Sequence, residues 1–172
     1  MVGTLDWGPV NERSGLLADP VAAATGGVPG AQAAEIDPDL ADTAAFCERY
    51  GVPLDVSANC VVVAAKRGGE VSYAACMVLA TGRADVNGVV RKHLGARKVS
   101  FAPMADATSL TGMEYGGITP VGLPAGWPIL VDEAVAAAPQ VVIGSGLRKS
   151  KILLPGKALT GLPGAEVIAL AR

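Results

Sequence analysis

At 172 residues, 51% apolar and 17% charged, the chain can bury a core without metals or disulfides and is too apolar to be disordered. Aromatic residues make up only 4%, so the core is expected to consist of Val, Ala, Leu and Ile. The net charge of −2 argues against a generic nucleic-acid binder, and no apolar run approaches the length of a membrane span.

The charge is lopsided. Residues 1–60 hold two basic and nine acidic side chains, whereas residues 61–172 hold twelve basic and seven acidic. Basic clusters fall at Arg91-Lys92-His93 with Arg97-Lys98, and at Arg148-Lys149 with Lys151. Such clusters permit contact with an anionic partner without requiring one. No charged stretch followed by an apolar one opens the chain, so no secretion signal is expected. Cys47, Cys60 and Cys76 lack metal-ligand spacing and read as free thiols in a reducing, cytoplasmic compartment.

In chain order, residues 1–33 read as a loop-rich N-terminal extension around one short helix near Pro20–Ala24. Ala34–Ile36 reads as a short strand. Asp37-Pro38 has the pattern of a helix start, with Asp as cap and Pro at the first helical position, and Gly51 fits the helix end. The β-branched runs Cys60–Ala65 and Val71–Ala80 flank Lys66–Glu70, which contains Gly-Gly, and predict a β-hairpin. Asp85 is placed to cap a helix over Val86–Leu94, closed by Gly95. Lys98–Phe101 reads as a strand, and Pro103 opens a helix stopping near Gly112.

Residues 116–128 carry too many glycines and prolines for helix or strand and read as a shaped loop. Ile129–Val131 is predicted as a strand, with Asp132 capping the alanine-rich helix after it. Gln140–Ile143 is a strand ending at Gly144-Ser145-Gly146. Lys151–Leu154 is another, followed by a short helix from Pro155 and a last strand in Ala165–Leu170. Hairpins with only some βα alternation predict an α+β domain over 34–172, in which a mixed, mostly antiparallel sheet is surrounded by helices.

Several chemistries lack their residues. The lone histidine, His93, sits in a polar helix with no nucleophile motif in view. A zinc cluster and both glycine-rich phosphate-loop patterns are missing, so neither metal nor cofactor is expected. What remains is Gly116-Gly117-Ile118-Thr119-Pro120-Val121-Gly122. Glycines let the main chain approach a ligand and offer bare N–H groups, and Pro120 stiffens the turn. Such a loop can hold a carbonyl or a ribose through its backbone; it also fits a plain structural connector.

The segment Thr111-Gly112-Met113-Glu114-Tyr115-Gly116-Gly117-Ile118-Thr119-Pro120-Val121-Gly122 closely resembles the signature of the YbaK-like family, Thr-Gly followed by Gly-Gly-x-Ser/Thr-Pro-x-Gly. That family includes the editing domain of bacterial prolyl-tRNA synthetases and free-standing deacylases. The turn at Ala80–Asn87, the step Val131-Asp132 and the turn Ile143-Gly144-Ser145-Gly146 extend the resemblance over about residues 38–170.

The resemblance implies hydrolysis of the ester between an amino acid and the terminal ribose of tRNA. The partners would be the 3′ end of a mischarged tRNA and an aminoacyl-tRNA synthetase, with no metal and no membrane. Gly116, Gly117, Thr119 and Pro120 would form the catalytic loop. Ile118, Val121, Gly122, Asp132, Gly144 and Ser145 would help bind substrate. Relatives carry a lysine early in the strand that here begins near Cys60; strand alignment puts Cys60 at that place, and Lys66 follows at the hairpin turn. Both are expected at the substrate. Three readings follow: a deacylase acting in trans, a binding module that kept the fold and lost the chemistry, or a different hydrolase using Cys60 as nucleophile.

Overall fold

A computed structural model describes residues 2–172. The chain enters through β1 (Gly8–Pro9), α1 (Asp19–Ala24) and β2 (Gln32–Glu35), then reaches α2 (Thr43–Tyr50). The long strands β3 (Ala58–Arg67) and β4 (Glu70–Leu79) form the expected hairpin. Its two linking glycines, Gly68 and Gly69, both have positive φ (59° and 83°), the geometry of a tight two-residue turn. Next come α3 (Arg91–Leu94), β5 (Lys98–Phe101), α4 (Met104–Thr111), β6 (Ile129–Asp132) and α5 (Glu133–Ala137). The chain closes with β7 (Val141–Gly144), β8 (Ser150–Leu154), α6 (Gly156–Leu159) and β9 (Ala165–Ile168).

The α+β class stands, but the strands divide between two sheets. One is antiparallel, in the order β1-β2-β8-β7; the other has the order β5-β3-β4-β6-β9. Within the second, β5, β3 and β4 are antiparallel, while β4, β6 and β9 are parallel. A single parallel bridge, Ser57 to Val142, joins the sheets where β3 begins.

The inner part of β4 and the strands β6, β7 and β8 are covered on both faces, which explains why they read as continuous apolar runs. Alternate residues go to different cores. Met77, Ile129, Val131, Ile143, Ile152 and Leu154 meet in the central core, while Cys76 and Leu130 face a second cluster with Val90. Val142 and Leu153 face a third, with Phe46 of α2. The first 33 residues join the central core: Val10, Leu17, Ala18, Val21 and Val28 are buried in it, and β1 extends the sheet through β2.

Helix boundaries differ from the sequence reading in two places. Asp37 caps only a 3-10 turn over Pro38–Leu40, accepting from the Asp39 amide at 2.9 Å, and α2 starts afresh at Thr43. Over Val86–Val90 the backbone forms a π turn before α3, with the Asp85 carboxylate accepting from Gly88 and Val89.

Asp132 lies in the central architecture. Its carboxylate accepts from Ala134 N at 3.2 Å, which caps α5, and from Leu170 N and Ala171 N at 3.1 Å, which pins the C-terminal segment. Asp132→Ala removes the partner of all three amides and should cost about 2–4 kcal/mol. Urea unfolding checks this; an unchanged midpoint would contradict the assigned role.

Candidate active site

The loop between α4 and β6 is clasped to the turn between β7 and β8 by main-chain bonds. Gly146 N donates to Gly117 O at 2.7 Å, and Glu114 N donates to Gly146 O at 2.8 Å. The Glu114 carboxylate accepts from Arg148 N at 2.8 Å, and the Arg148 guanidinium donates to Tyr115 O at 3.2 Å. The approach is possible only because the facing residues are glycines. A Cβ on Gly144 would lie 2.5 Å from Gly117 O, and one on Gly117 would lie 2.7 Å from Leu147 O. Gly116 has φ +89°, and a side chain there would collide with Arg148. Behind the loop, Gly122 abuts the backbone of Pro20, and Gly146 abuts Ala18 and Val21 near α1.

Beside this clasp lies a cavity of about 420 Å³ at the seam of the two sheets. Ser57 and the first half of β3, from Ala58 to Val62, form one wall, and β7 (Val142–Gly144) with Lys151 of β8 forms another. Ala41, Asp42 and Thr43 contribute from the start of α2, and Phe101, Ala102 and Ala107 from β5 and α4. Tyr115, Gly116 and Ile118 supply the loop's edge. Phe101 and Tyr115 stand at the rim, 67% and 54% exposed. Thr43 donates to the Asn59 side chain at 2.6 Å, so two polar groups of the wall are fixed to each other.

The structure brings together Gly116, Ile118, Gly144 and Cys60 from the sequence-derived set. Gly117 lies immediately behind; its amide donates to Glu114 O at 3.0 Å, which makes it a brace. The Gly116 and Ile118 amides have no backbone acceptor among the described residues. Thr119, Pro120 and Val121 are buried behind the loop, and the Thr119 hydroxyl has no hydrogen-bond partner among the described residues. Gly122 packs against Pro20, away from the cavity lining.

Besides Val121 and Gly122, three expected binding residues lie outside the cavity lining. Lys66 sits exposed near the hairpin end of β3, six residues from Cys60, or about 20 Å along an extended strand. Asp132 is committed to the amides described above. Ser145 is buried and donates to the carbonyls of Leu147 and Ser150, which shapes the glycine turn.

The electrostatics disfavour a cysteine nucleophile. Burial, with Cys76 alongside, pushes the Cys60 thiol far up, and burial pushes Cys76 up to about 12. The thiolate is therefore scarce. His93 cannot act as its base, because it lies on α3 and pairs with Glu166 at 3.0 Å, outside the cavity lining.

The cavity contains one residue whose role the sequence reading missed. Lys151 belongs to β8, is 8% exposed and donates from Nζ to Ala41 O at 2.9 Å. Burial pushes its pKa down to about 8; the neighbouring Cys47 and Asp42 oppose that shift and Arg148 adds to it. In the sequence Lys151 stands between the basic pair Arg148-Lys149 and the apolar run Ile152-Leu153-Leu154, and its place directly before that run was the available signal. Phe101 and Tyr115 were also legible only as scattered aromatics.

A family model for the aminoacyl-tRNA editing domain matches residues 37–162, a span containing the clasp and every cavity-lining residue. This chain belongs to that family. The editing domain is also similar in fold to a solved structure described as a candidate trans-editing enzyme for prolyl-tRNA synthetase. That likeness has a TM-score of 0.76 and 22% identity, and covers 90% of this chain and 96% of the other. A scaffold protein used for epitope grafting gives a TM-score of 0.75 at 20% identity, with 91% and 99% covered. The hypothetical protein APE2540 gives 0.68 at 21% identity, with 77% and 85% covered.

In this editing domain, Gly144→Ala should destabilise the fold by about 1–3 kcal/mol, because the methyl group meets two backbone oxygens that cannot both retreat. Gly161→Ala, where the nearest atom is 3.8 Å from the added Cβ, is the matched control and should change stability little. Denaturant midpoints compare the two; equal shifts would contradict the glycine contact.

Proposed function

We propose that this editing domain acts in trans as a deacylase, hydrolysing the ester between a small, wrongly attached amino acid and the terminal ribose of tRNA. The observation that carries the reading is the pair of amides at Gly116 and Ile118, without backbone acceptors, on the edge of a cavity between two rigid sheets. Its volume falls in the range of small-molecule sites. The family match and the likeness to a candidate trans-editing enzyme support the same substrate class.

The chemistry asks little of side chains. An aminoacyl ester is already activated, so holding its carbonyl oxygen on fixed N–H donors favours the tetrahedral state formed when water adds. The ribose oxygen then leaves and takes up a proton, and the free amino acid is released. Gly116 and Ile118 supply the donors, Gly117, Thr119 and Pro120 hold the bend, and Gly144 makes room for it. Phe101 and Tyr115 offer stacking faces for the terminal adenine, since every base has a π-face and stacking needs no particular sequence. The tRNA 3′ end is the partner this arrangement fits, and an aminoacyl-tRNA synthetase is the natural second partner.

Purified protein incubated with a panel of mischarged tRNAs should release at least one small amino acid well above the buffer rate. Phe101→Ala and Tyr115→Ala should each raise KM about 5- to 100-fold with a smaller change in kcat. Release from no pairing by a folded sample would overturn the deacylase reading. Cys60, a half-buried thiol at the place where the resemblance implies a lysine, favours a second reading, a module that binds the charged end without turnover; saturable binding with no release would establish it.

A further inference from the structure

The buried ammonium of Lys151 has no function in the chemistry above. It occupies the second position of β8, directly before the apolar run Ile152–Leu154, on the same strand face as Leu153 and opposite Ile152. Its Nζ has one hydrogen-bond acceptor, Ala41 O, and lies 5.2 Å from the centroid of the Phe46 ring. An ammonium carries three N–H donors, so this environment leaves donor capacity unused. No carboxylate forms a salt bridge with it among the described residues; Asp42, the carboxylate acting on it, pairs instead with Arg148 at 3.6 Å. Burying a cation with so little compensation is costly, and an apolar side chain of similar length would relieve the cost. Lys151 also lines the same cavity as Gly116, Ile118 and Cys60.

We propose that Lys151 is a substrate-binding residue, its ammonium holding a carbonyl or phosphate oxygen of the charged adenosine. The inference rests on the deacylase reading and adds a cation to it. The same cavity thus gains from β8 the charge that the thiol of Cys60 on β3 does not provide. A carbonyl oxygen and a phosphate oxygen present the same acceptor chemistry to Nζ.

The lowered pKa fixes the direction of the pH dependence. Lys151 is charged below about pH 8, and its hold on an oxygen is lost as pH rises through that value. The ionisable groups acting on it are Cys47 of α2, Asp42 just before α2 and Arg148 just before β8. A bound oxygen favours the ammonium, so the titration midpoint should rise when ligand enters.

The test follows the Lys151 side-chain carbon signal by NMR in protein labelled at the lysine ε-carbon, assigned by its absence in Lys151→Met. Two probes are used: the non-hydrolysable alanyl amide of 3′-amino-3′-deoxyadenosine, and adenosine 5′-monophosphate. A midpoint raised by the amide alone assigns the carbonyl oxygen, and one raised by the monophosphate alone assigns the phosphate; either result supports the proposal. No shift with either overturns it.

Lys151→Met should also lower release from the mischarged-tRNA panel about 10- to 100-fold, with a melting temperature equal to or above wild type. The deficit should narrow above pH 8. A Lys151→Met protein as active as wild type overturns the proposal while leaving the deacylase reading intact. Wild type that releases nothing, yet shows the midpoint shift, overturns the deacylase reading while leaving the lysine site intact.

Discussion

The site depends on two bends of main chain touching with nothing between them. Gly117 and Gly144 meet where any side chain would force the bends apart, and the bonds from Gly146 and Glu114 lock the contact. Fixing a loop on the folded scaffold in this way places its ordering cost in folding, so a ligand need not supply it on binding. The clasp uses up some of the loop's polar groups, and the Gly116 and Ile118 amides at the cavity edge are among those it leaves without a backbone partner in the described residues. Preorganised dipoles of this kind need little rearrangement during a reaction.

Placing the cavity at the junction of two sheets has a second effect. Its walls come from the sheet strands β3, β7 and β8, while its rim comes from the exposed aromatics Phe101 and Tyr115 and the helix start at Asp42. Rigid walls with an exposed rim suit a small group held tightly and a larger, variable body held loosely. The uneven charge fits this division. Arg148, from one of the basic clusters, is tied both to the loop and to Asp42 of the acidic first third.

Much of this was legible in the sequence because glycine, proline and capping residues act locally. The Gly68-Gly69 hairpin, the Asp132 cap of α5 and the 116–122 loop all follow from backbone rules that need only neighbours in the chain. Strand pairing is different. Whether β6 lies beside β4 or β7 depends on packing across the whole molecule, so two sheets read as one. The same gap hid Lys151. A lysine at the start of a strand, beside Arg148 and Lys149, reads as part of a basic cluster, and only the position of Phe46 and Ala41, more than a hundred residues earlier, shows that it is buried at a cavity wall. Lys66 illustrates the converse: nearness to Cys60 in sequence becomes distance along an extended strand.

The contact of α1 with the back of the loop also bears on how much chain the site needs for support. Pro20, Ala18 and Val21 support Gly122 and Gly146, yet all three precede Asp37, where the family match starts. Sequence similarity and mechanical support therefore have different borders here. A transplant of the editing function into another protein, cut at the border of similarity, would carry the active loop without its backing; the portable unit includes the helix that precedes it.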